Sequence, residues 1–368
     1  MEFTLKGQDL LEGFQMAAAV VGPRTTREVT RNIKLTCTQD EVRVFAVGDE
    51  CAINYRVTPE EVVSPGEVVL PAETMVGVLR ESRGEAVSIR LQELACEVEF
   101  QQSFFRVLGE DPSGFPEVMQ FDEAGAVEVP AAVLRQMIPQ TLFAASTEDT
   151  RYAMNGVLFA PAKGSLELVA TDGRRLAYAK QRIAGLGKAE PVIVPRLALG
   201  QIVKMLPSGD EARVKLAIAE TQVALETERG AIFAKLIDGS FPPYQDVIPK
   251  ECTFKVEFDV QQLASAVRRA ALLTDPTSKT VCFTLREGEL GLSSRAADRG
   301  EARITVSVAC ERTEPFVTYF NPDYVADCLK VIECEQVTME FTTENRQAAM
   351  KAEGGLIYVV MPVTPGEV

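Results

Sequence analysis

Val68-Val-Leu-Pro71-Ala-Glu-Thr-Met75 is an apolar strand that runs into a proline and then a helical pattern, and Val192-Ile-Val-Pro195-Arg-Leu-Ala-Leu199 repeats it. The two prolines lie 124 residues apart. Proline suits such a junction, because its fixed φ and missing N–H cost little where a helix begins. A looser third version, Phe316-Val-Thr-Tyr-Phe-Asn-Pro322, follows.

Working outward, other landmarks recur in the same order. A short alternating strand leads into a helix three times. Phe3-Thr-Leu5 precedes Leu10, Phe14, Ala17 and Ala18; Val127-Glu-Val129 precedes Leu134, Ile138, Thr141 and Leu142; Val256-Glu-Phe258 precedes Leu263, Val267, Ala270 and Ala271. Spacings of three and four put each set on one helix face. Downstream, alternating strands open at Glu85, Glu211 and Glu335, and the copies close with Gly114-Phe-Pro116, Ser240-Phe-Pro242 and Val360-Met-Pro362. Shared order at this long period marks a triplication. Each copy reads as strand, helix and meander, twice over. The alternation predicts antiparallel sheets with one covered face, since doubly covered parallel strands read as continuous apolar runs. Polar links near Phe121–Ala126 and Pro249–Thr253 place domains at 1–124, 125–250 and 251–368. The expected fold is α+β: three repeated domains, each with two helices packed on antiparallel sheets.

Composition limits the chemistry. The 368 residues are 46% hydrophobic and 25% charged, an ordinary soluble globular balance. Lys and Arg number 38 against 53 Asp and Glu, giving a formal charge of −15, and His and Trp are absent. Without His there is no Ser-His-Asp or Cys-His relay and no imidazole proton shuttle. The acidic balance argues against coating nucleic acid by bulk attraction, although it leaves room for a local basic face. Carboxylate pairs such as Glu60-Glu61 and Asp210-Glu211 sit in turn-like polar stretches and read as solvated surface. No Walker A loop, GxGxxG or metal-ligand cluster is present, so no cofactor and no metal are expected. The eight cysteines form no CxxC pair and read mostly as buried reduced thiols. The start lacks a basic segment followed by an apolar run, and the stretch Met16 to Val21 is far short of the ~20 residues that span a bilayer. A cytoplasmic location is expected.

The chain resembles the bacterial DNA polymerase III beta subunits, the sliding clamps, from end to end. The stretches that carry the resemblance are Arg151-Tyr-Ala-Met-Asn-Gly-Val-Leu-Phe159, Val169-Ala-Thr-Asp-Gly-Arg-Arg-Leu-Ala177, Val192-Ile-Val-Pro-Arg196, Lys235-Leu-Ile-Asp-Gly-Ser-Phe-Pro-Pro-Tyr244 and Tyr358-Val-Val-Met-Pro362. The resemblance implies three clamp domains per chain and two chains closed head to tail as a ring homodimer around double-stranded DNA, with no sequence specificity and no catalysis. Implied partners are the DNA polymerase III alpha subunit, a clamp loader complex that supplies any ATP use, and other polymerases and repair proteins. A ring also fits the charge, because at a Debye length of ~8 Å only charge on the inner helices matters to the DNA.

Site residues follow position by position. Asp172-Gly173 between alternating strands is a hairpin signal in its own right. The resemblance makes that turn one wall of a peptide-binding groove comprising Met154, Thr171, Gly173, Arg174, Arg175, Leu176, Pro242, Val247, Tyr324, Val359, Met361, Pro362 and Val363. Met and Leu would give an adaptable apolar floor, and Arg with backbone amides would fix a polar residue of the motif. DNA-facing candidates are Arg24, Arg151, Arg196 and Arg80, among further basic residues in or beside the helices (Arg27, Arg83, Arg135, Lys204, Arg268, Arg269 and Lys330). For any of them a solvated helix-end charge is the plain alternative. The dimer interface is expected at Phe105 and Val107 facing Leu272 and Leu273, although Phe104-Phe-Arg-Val107 reads equally as core. Arg174 stands where the family has a His and Asp246 where it has a basic residue, and the tail runs past Pro362 to Val368. A repeat-built peptide scaffold that never loads on DNA is the competing reading, and a carboxylate hydrolase a weaker one.

Overall fold

The computed structural model describes residues 1–21, 28–123, 125–148 and 152–364. The first copy runs β1 (Glu2–Lys6), α1 (Gly7–Val20), β2 (Asn32–Cys37), β3 (Val42–Val47), β4 (Cys51–Val57), β5 (Glu61–Ser64), β6 (Gly66–Pro71), α2 (Ala72–Glu81), β7 (Ala86–Gln92), β8 (Ala95–Phe100) and β9 (Ser103–Leu108). The second runs β10 (Val127–Pro130), α3 (Ala131–Leu142), β11 (Gly156–Ala162), β12 (Ser165–Thr171), β13 (Arg175–Arg182), β14 (Val192–Pro195), α4 (Arg196–Met205), β15 (Arg213–Ile218), β16 (Gln222–Thr227) and β17 (Gly230–Lys235). The third runs β18 (Phe254–Asp259), α5 (Val260–Ala271), β19 (Val281–Arg286), β20 (Glu289–Ala296), β21 (Gly300–Ser307), β22 (Phe316–Phe320), α6 (Pro322–Lys330), β23 (Gln336–Phe341), β24 (Ala348–Ala352) and β25 (Leu356–Val360). Among the described residues, only β5 lacks counterparts.

The landmarks have physical causes. A helix start leaves backbone N–H groups without partners. Gly7, Ala131 and Val260 solve this alike, donating to the carbonyls of Glu85, Ala212 and Glu335 at 2.7, 2.8 and 2.9 Å. Those backbone acceptors sit at the mouths of β7, β15 and β23, so each helix start is tied to the strand opening that the repeat marks. Pro71 and Pro195 occupy the N-cap positions of α2 and α4. The third version is looser because Pro322 lies one place inside α6, leaving Asn321 to cap by accepting the Asp323 N–H at 2.9 Å. The predicted helix faces are the core faces: Leu10, Phe14 and Ala17, Leu134, Ile138 and Thr141, and Leu263, Val267 and Ala270 are all buried. The fourth member of each set, Ala18, Leu142 and Ala271, is only half-buried at the rim.

The chain divides into two compact units, Met1–Leu134 with Val194–Leu236, and Arg135–Ile193 with Ile237 onward. The second copy is therefore shared between them. In unit 1, an eight-stranded sheet has the order β10-β15-β16-β17-β4-β3-β2-β6, and a five-stranded sheet the order β5-β1-β7-β8-β9. In unit 2, an eight-stranded sheet has the order β14-β11-β12-β13-β25-β24-β23-β18, with β14 at the division, and a four-stranded sheet the order β21-β20-β19-β22. All pairings with described registers are antiparallel, as predicted. Each long sheet joins two copies at a seam: β17 lies beside β4, and β25 beside β13. Gly230 at the first seam has φ +120°, and a Cβ there would come within 2.0 Å of the Asn54 carbonyl oxygen, so only glycine fits.

The connectors that follow β9 and β17 cross these seams. In unit 1, Phe115, Val118, Met119 and Phe121 pack with Phe45, Ala52 and Phe233. In unit 2, Ile237, Phe241, Tyr244 and Ile248 pack with Leu176 and Val359. The Phe-Pro landmarks are thus anchors. Among the cysteines, Cys37, Cys51, Cys96, Cys310 and Cys328 are buried, whereas Cys282 and Cys334 are half-buried and Cys252 is exposed, so the buried reading does not extend to these last three. Burial holds the Cys51 and Cys96 thiols protonated, each pushed up to about 12. No helix of the described residues is long and apolar enough to cross a membrane.

Candidate functional site

The turn from β12 to β13 is built by its own side chains. The Thr171 hydroxyl donates to the Arg175 carbonyl at 2.7 Å and accepts the Gly173 N–H at 3.1 Å. One Asp172 carboxylate oxygen accepts the Arg174 and Arg175 N–H groups at 2.9 and 3.0 Å. Gly173 takes φ +85°, a left-handed conformation in which glycine pays no Cβ penalty. The polar run Thr-Asp-Gly therefore encodes a rigid wall.

Beside that wall is a cavity of about 370 Å³ lined by Met154, Thr171, Gly173, Arg174, Arg175, Leu176, Pro242, Pro243, Tyr244, Val247, Val359 and Met361, all in unit 2. Leu176 and Val359 face each other across the β13–β25 seam and form an apolar floor. Val247 and Met361 are the lips, 37% and 39% exposed. Ten of the residues expected in a groove are thus brought together. Pro243 and Tyr244 were not foreseen; Tyr244 donates to Glu167 at 3.2 Å and stacks near Tyr178, which fixes the connector on the sheet. The signal for them was the Pro-Pro-Tyr run itself.

Three expected members lie outside the cavity wall. Tyr324 stands next to it, its hydroxyl accepting from Arg174 at 3.4 Å. Pro362 and Val363 continue the chain away from the floor, with the Val363 N–H donating to the Tyr319 carbonyl at 2.8 Å. Residues 365–368 of the tail lie outside the described residues.

The two arginines also part company. Arg175 is turned inward: its guanidinium donates to Asp172 (3.0 Å), Asp327 (2.9 Å) and the Phe143 carbonyl (2.9 Å), and stacks over the Tyr324 and Phe143 rings. Burial would raise the Asp327 carboxyl, but the bonds from Lys330 and Arg175 outweigh it and hold the group below the usual range. These three bonds hold the Arg175 guanidinium in the wall of the cavity. Arg174 is exposed, and among the described residues its side chain makes one long hydrogen bond, to Tyr324. The site is thus an apolar cleft with Arg174 exposed at its rim and Arg175 held in its wall.

The other expected sites are placed as follows. Arg24 and Arg151, with Arg27, lie outside the described residues. Arg80 is exposed in the last turn of α2 and Arg196 is exposed at the first position of α4. A cation at a helix start opposes the helix dipole, by about 0.3–1 kcal/mol, and no carboxylate within the described residues pairs with Arg196. On β9, Val107 is buried and Phe105 half-buried, stacked on Phe100 at 5.4 Å, while Phe104 and Leu108 face water at 57% and 76% exposure. Leu272, just past α5, is 72% exposed and Leu273 half-buried. Among the described residues no group of three or more His, Cys, Asp or Glu is arranged to hold a metal ion.

Comparison with known proteins agrees with this architecture. Residues 1–119, 128–243 and 245–364 match the family descriptions of the N-terminal, central and C-terminal domains of the DNA polymerase III beta subunit. The beta sliding clamp of Vibrio cholerae is 27% identical over 366 residues, covering 99% of this chain and 100% of the relative. That of Pseudomonas putida is 29% identical over 368 residues, with the same coverage. The crystal structure of the sliding clamp from Pseudomonas aeruginosa bound to griselimycin superposes with a TM-score of 0.90 at 28% identity, covering 99% of this chain and 100% of that one. With three consecutive domain matches spanning nearly its whole length, the chain belongs to the DNA polymerase III beta subunit family, the beta sliding clamps.

Proposed function

We propose that two copies of this chain, each built of domains 1–124, 125–250 and 251–368, close head to tail around duplex DNA in the cytoplasm and carry partner proteins in the unit 2 groove. Family membership makes the chain a DNA sliding clamp, a processivity factor in replication and not an enzyme. The observation that carries the ring is the pattern of seams. By position in the repeat, β4, β13 and β21 are equivalent, and so are β9, β17 and β25. Within the chain, β4 takes β17 and β13 takes β25, which leaves β21 and β9 as sheet edges. Unpaired edges invite another chain. If β21 of each copy takes β9 of the other, two reciprocal seams use up both edges and growth stops.

Encirclement removes the difficulty of the −15 charge, because retention on DNA then needs no tight phosphate contacts. Arg80 and Arg196, exposed and unpaired among the described residues, would supply weak attraction. The groove suits short linear motifs with aliphatic or aromatic anchors, as the polymerase alpha subunit, the clamp loader and repair proteins would present, at micromolar affinity of about −8 kcal/mol. To test topological binding, the protein is loaded onto circular DNA with a clamp loader and ATP, and the DNA is then linearised. A ring runs off the cut ends; retention equal to that on intact circles would refute topological binding, and no retention on either form would support the scaffold reading.

A further inference from the structure

Unit 1 contains a second cavity, of about 340 Å³, at its own seam. It corresponds to the unit 2 groove in seam register and in the backbone hydrogen bond just beyond the facing pair. At the unit 2 seam Leu176 faces Val359, and the Met361 N–H donates to the Arg174 carbonyl at 3.0 Å. At the unit 1 seam Ala52 faces Phe233, and the Lys235 N–H donates to the Glu50 carbonyl at 2.8 Å. Glu50 therefore stands where Arg174 stands in the groove, and Lys235 where Met361 does. The connector supplies the remaining wall in both, through Pro242 to Val247 in one and Met119 in the other.

The floor is again apolar, from Val47, Ala52, Met119 and Phe233, but the rim is acidic on balance, with Asp49 and Glu50 against Lys235. Asp49 and Glu50 are adjacent and exposed on the β3–β4 turn, and neither forms an ion pair among the described residues. Loss of surrounding water, and then the charge of Asp49, raise the Glu50 carboxyl above its ordinary range. Asp49 and Glu50 outnumber Lys235, the one cation among the described residues that line the cavity, so the rim attracts a cationic ligand; complementary charge then selects among partners that share an apolar anchor.

We infer that the unit 1 cavity is a second peptide dock, which takes a partner segment with an aliphatic or aromatic anchor followed by Lys or Arg. The inference rests on the peptide-docking reading of the unit 2 groove. The two docks differ in the charge they select, so one chain can hold two kinds of partner at once.

The test uses the full chain and two fluorescein-labelled peptides, Gly-Leu-Leu-Phe-Lys-Arg-Gly and Gly-Leu-Leu-Phe-Asp-Glu-Gly, read by fluorescence anisotropy. Met361→Arg obstructs the groove, and Asp49→Lys with Glu50→Lys reverses the second rim; both alter exposed side chains, and circular dichroism confirms the fold. The basic peptide is expected to bind Met361→Arg within about twofold of the unaltered chain and to lose at least ~tenfold on the Asp49→Lys/Glu50→Lys protein. The acidic peptide should show the reverse dependence. Basic-peptide binding that is lost in Met361→Arg and unchanged by the rim reversal overturns the second dock, as does an absence of saturable binding up to about 1 mM. Failure of the acidic peptide to bind the unaltered chain strikes instead at the groove reading.

Discussion

Replacing Leu272 and Leu273 together by alanine should separate the proposed ring into folded single chains. Leu272 lies just past α5, the helix packed on the free edge strand β21, and is 72% exposed in the single chain. Full burial of a leucine side chain stabilises by about 1.5–3 kcal/mol, so covering Leu272 at an interface contributes about 1.5 kcal/mol beyond what alanine would. Leu273 starts half-buried and contributes about 0.5–1 kcal/mol by the same reasoning. A closed ring of two contains the contact twice, so the pair of substitutions costs the dimer about 4–5 kcal/mol, or about 10³-fold in its dissociation constant. Folding of each chain should change by only about 0.5–1 kcal/mol, from the half-buried Leu273, because Leu272 is already in water and gives up little when shortened. Sedimentation equilibrium at about 1 μM, with thermal unfolding alongside, reads both quantities. A dimer unchanged at that concentration refutes the assignment. Dissociation caused only by Leu108→Ser would move the interface to the other face of β9, where Phe104 and Leu108 are the exposed apolar residues.

Two further outcomes follow from the site. Arg175→Ala leaves Asp172 and Asp327 without their shared cation and should destabilise the chain by about 2–3 kcal/mol, seen as a lower urea midpoint. Asp327 has a folded-state pKa below its unfolded one, so its contribution is present at neutral pH and is lost as pH falls below about 4; Asp327→Asn should flatten that part of the stability profile. Arg80→Ala and Arg196→Ala should weaken the residual affinity for DNA uniformly across sequences, each lowering the dependence of log K on log salt by about 1. Single-molecule diffusion on loaded DNA checks this, and an unchanged salt slope would place both residues away from the duplex.

Much of the fold was legible because it rests on local pattern. Apolar spacing set the helix faces, alternation set the antiparallel strands, and a proline marked each second helix, all within windows of about ten residues. The hairpin at Asp172-Gly173 was readable for the same reason, since a positive φ is a demand on single residues. The absence of His alone excludes imidazole proton-shuttle chemistry. The Pro-Pro-Tyr run hinted at a rigid connector, but nothing local said which sheet Tyr244 would lie on.

What the tertiary structure decided is which residues meet across long stretches of chain. That β4 pairs with β17, and so draws strands of different copies into one sheet, depends on strand-edge pairing between segments some 180 residues apart, which no local period reports. Arg174 and Arg175 are neighbours in sequence with opposite fates. One faces the cavity rim, and the other is consumed by Asp327 and Phe143, because successive residues at a strand start point to opposite faces and only one face had partners waiting. The sequence by itself determined the repeat, the fold class and the turn chemistry. The seams, and the cavities beside them, came from side chains whose proximity exists only once the sheets have formed.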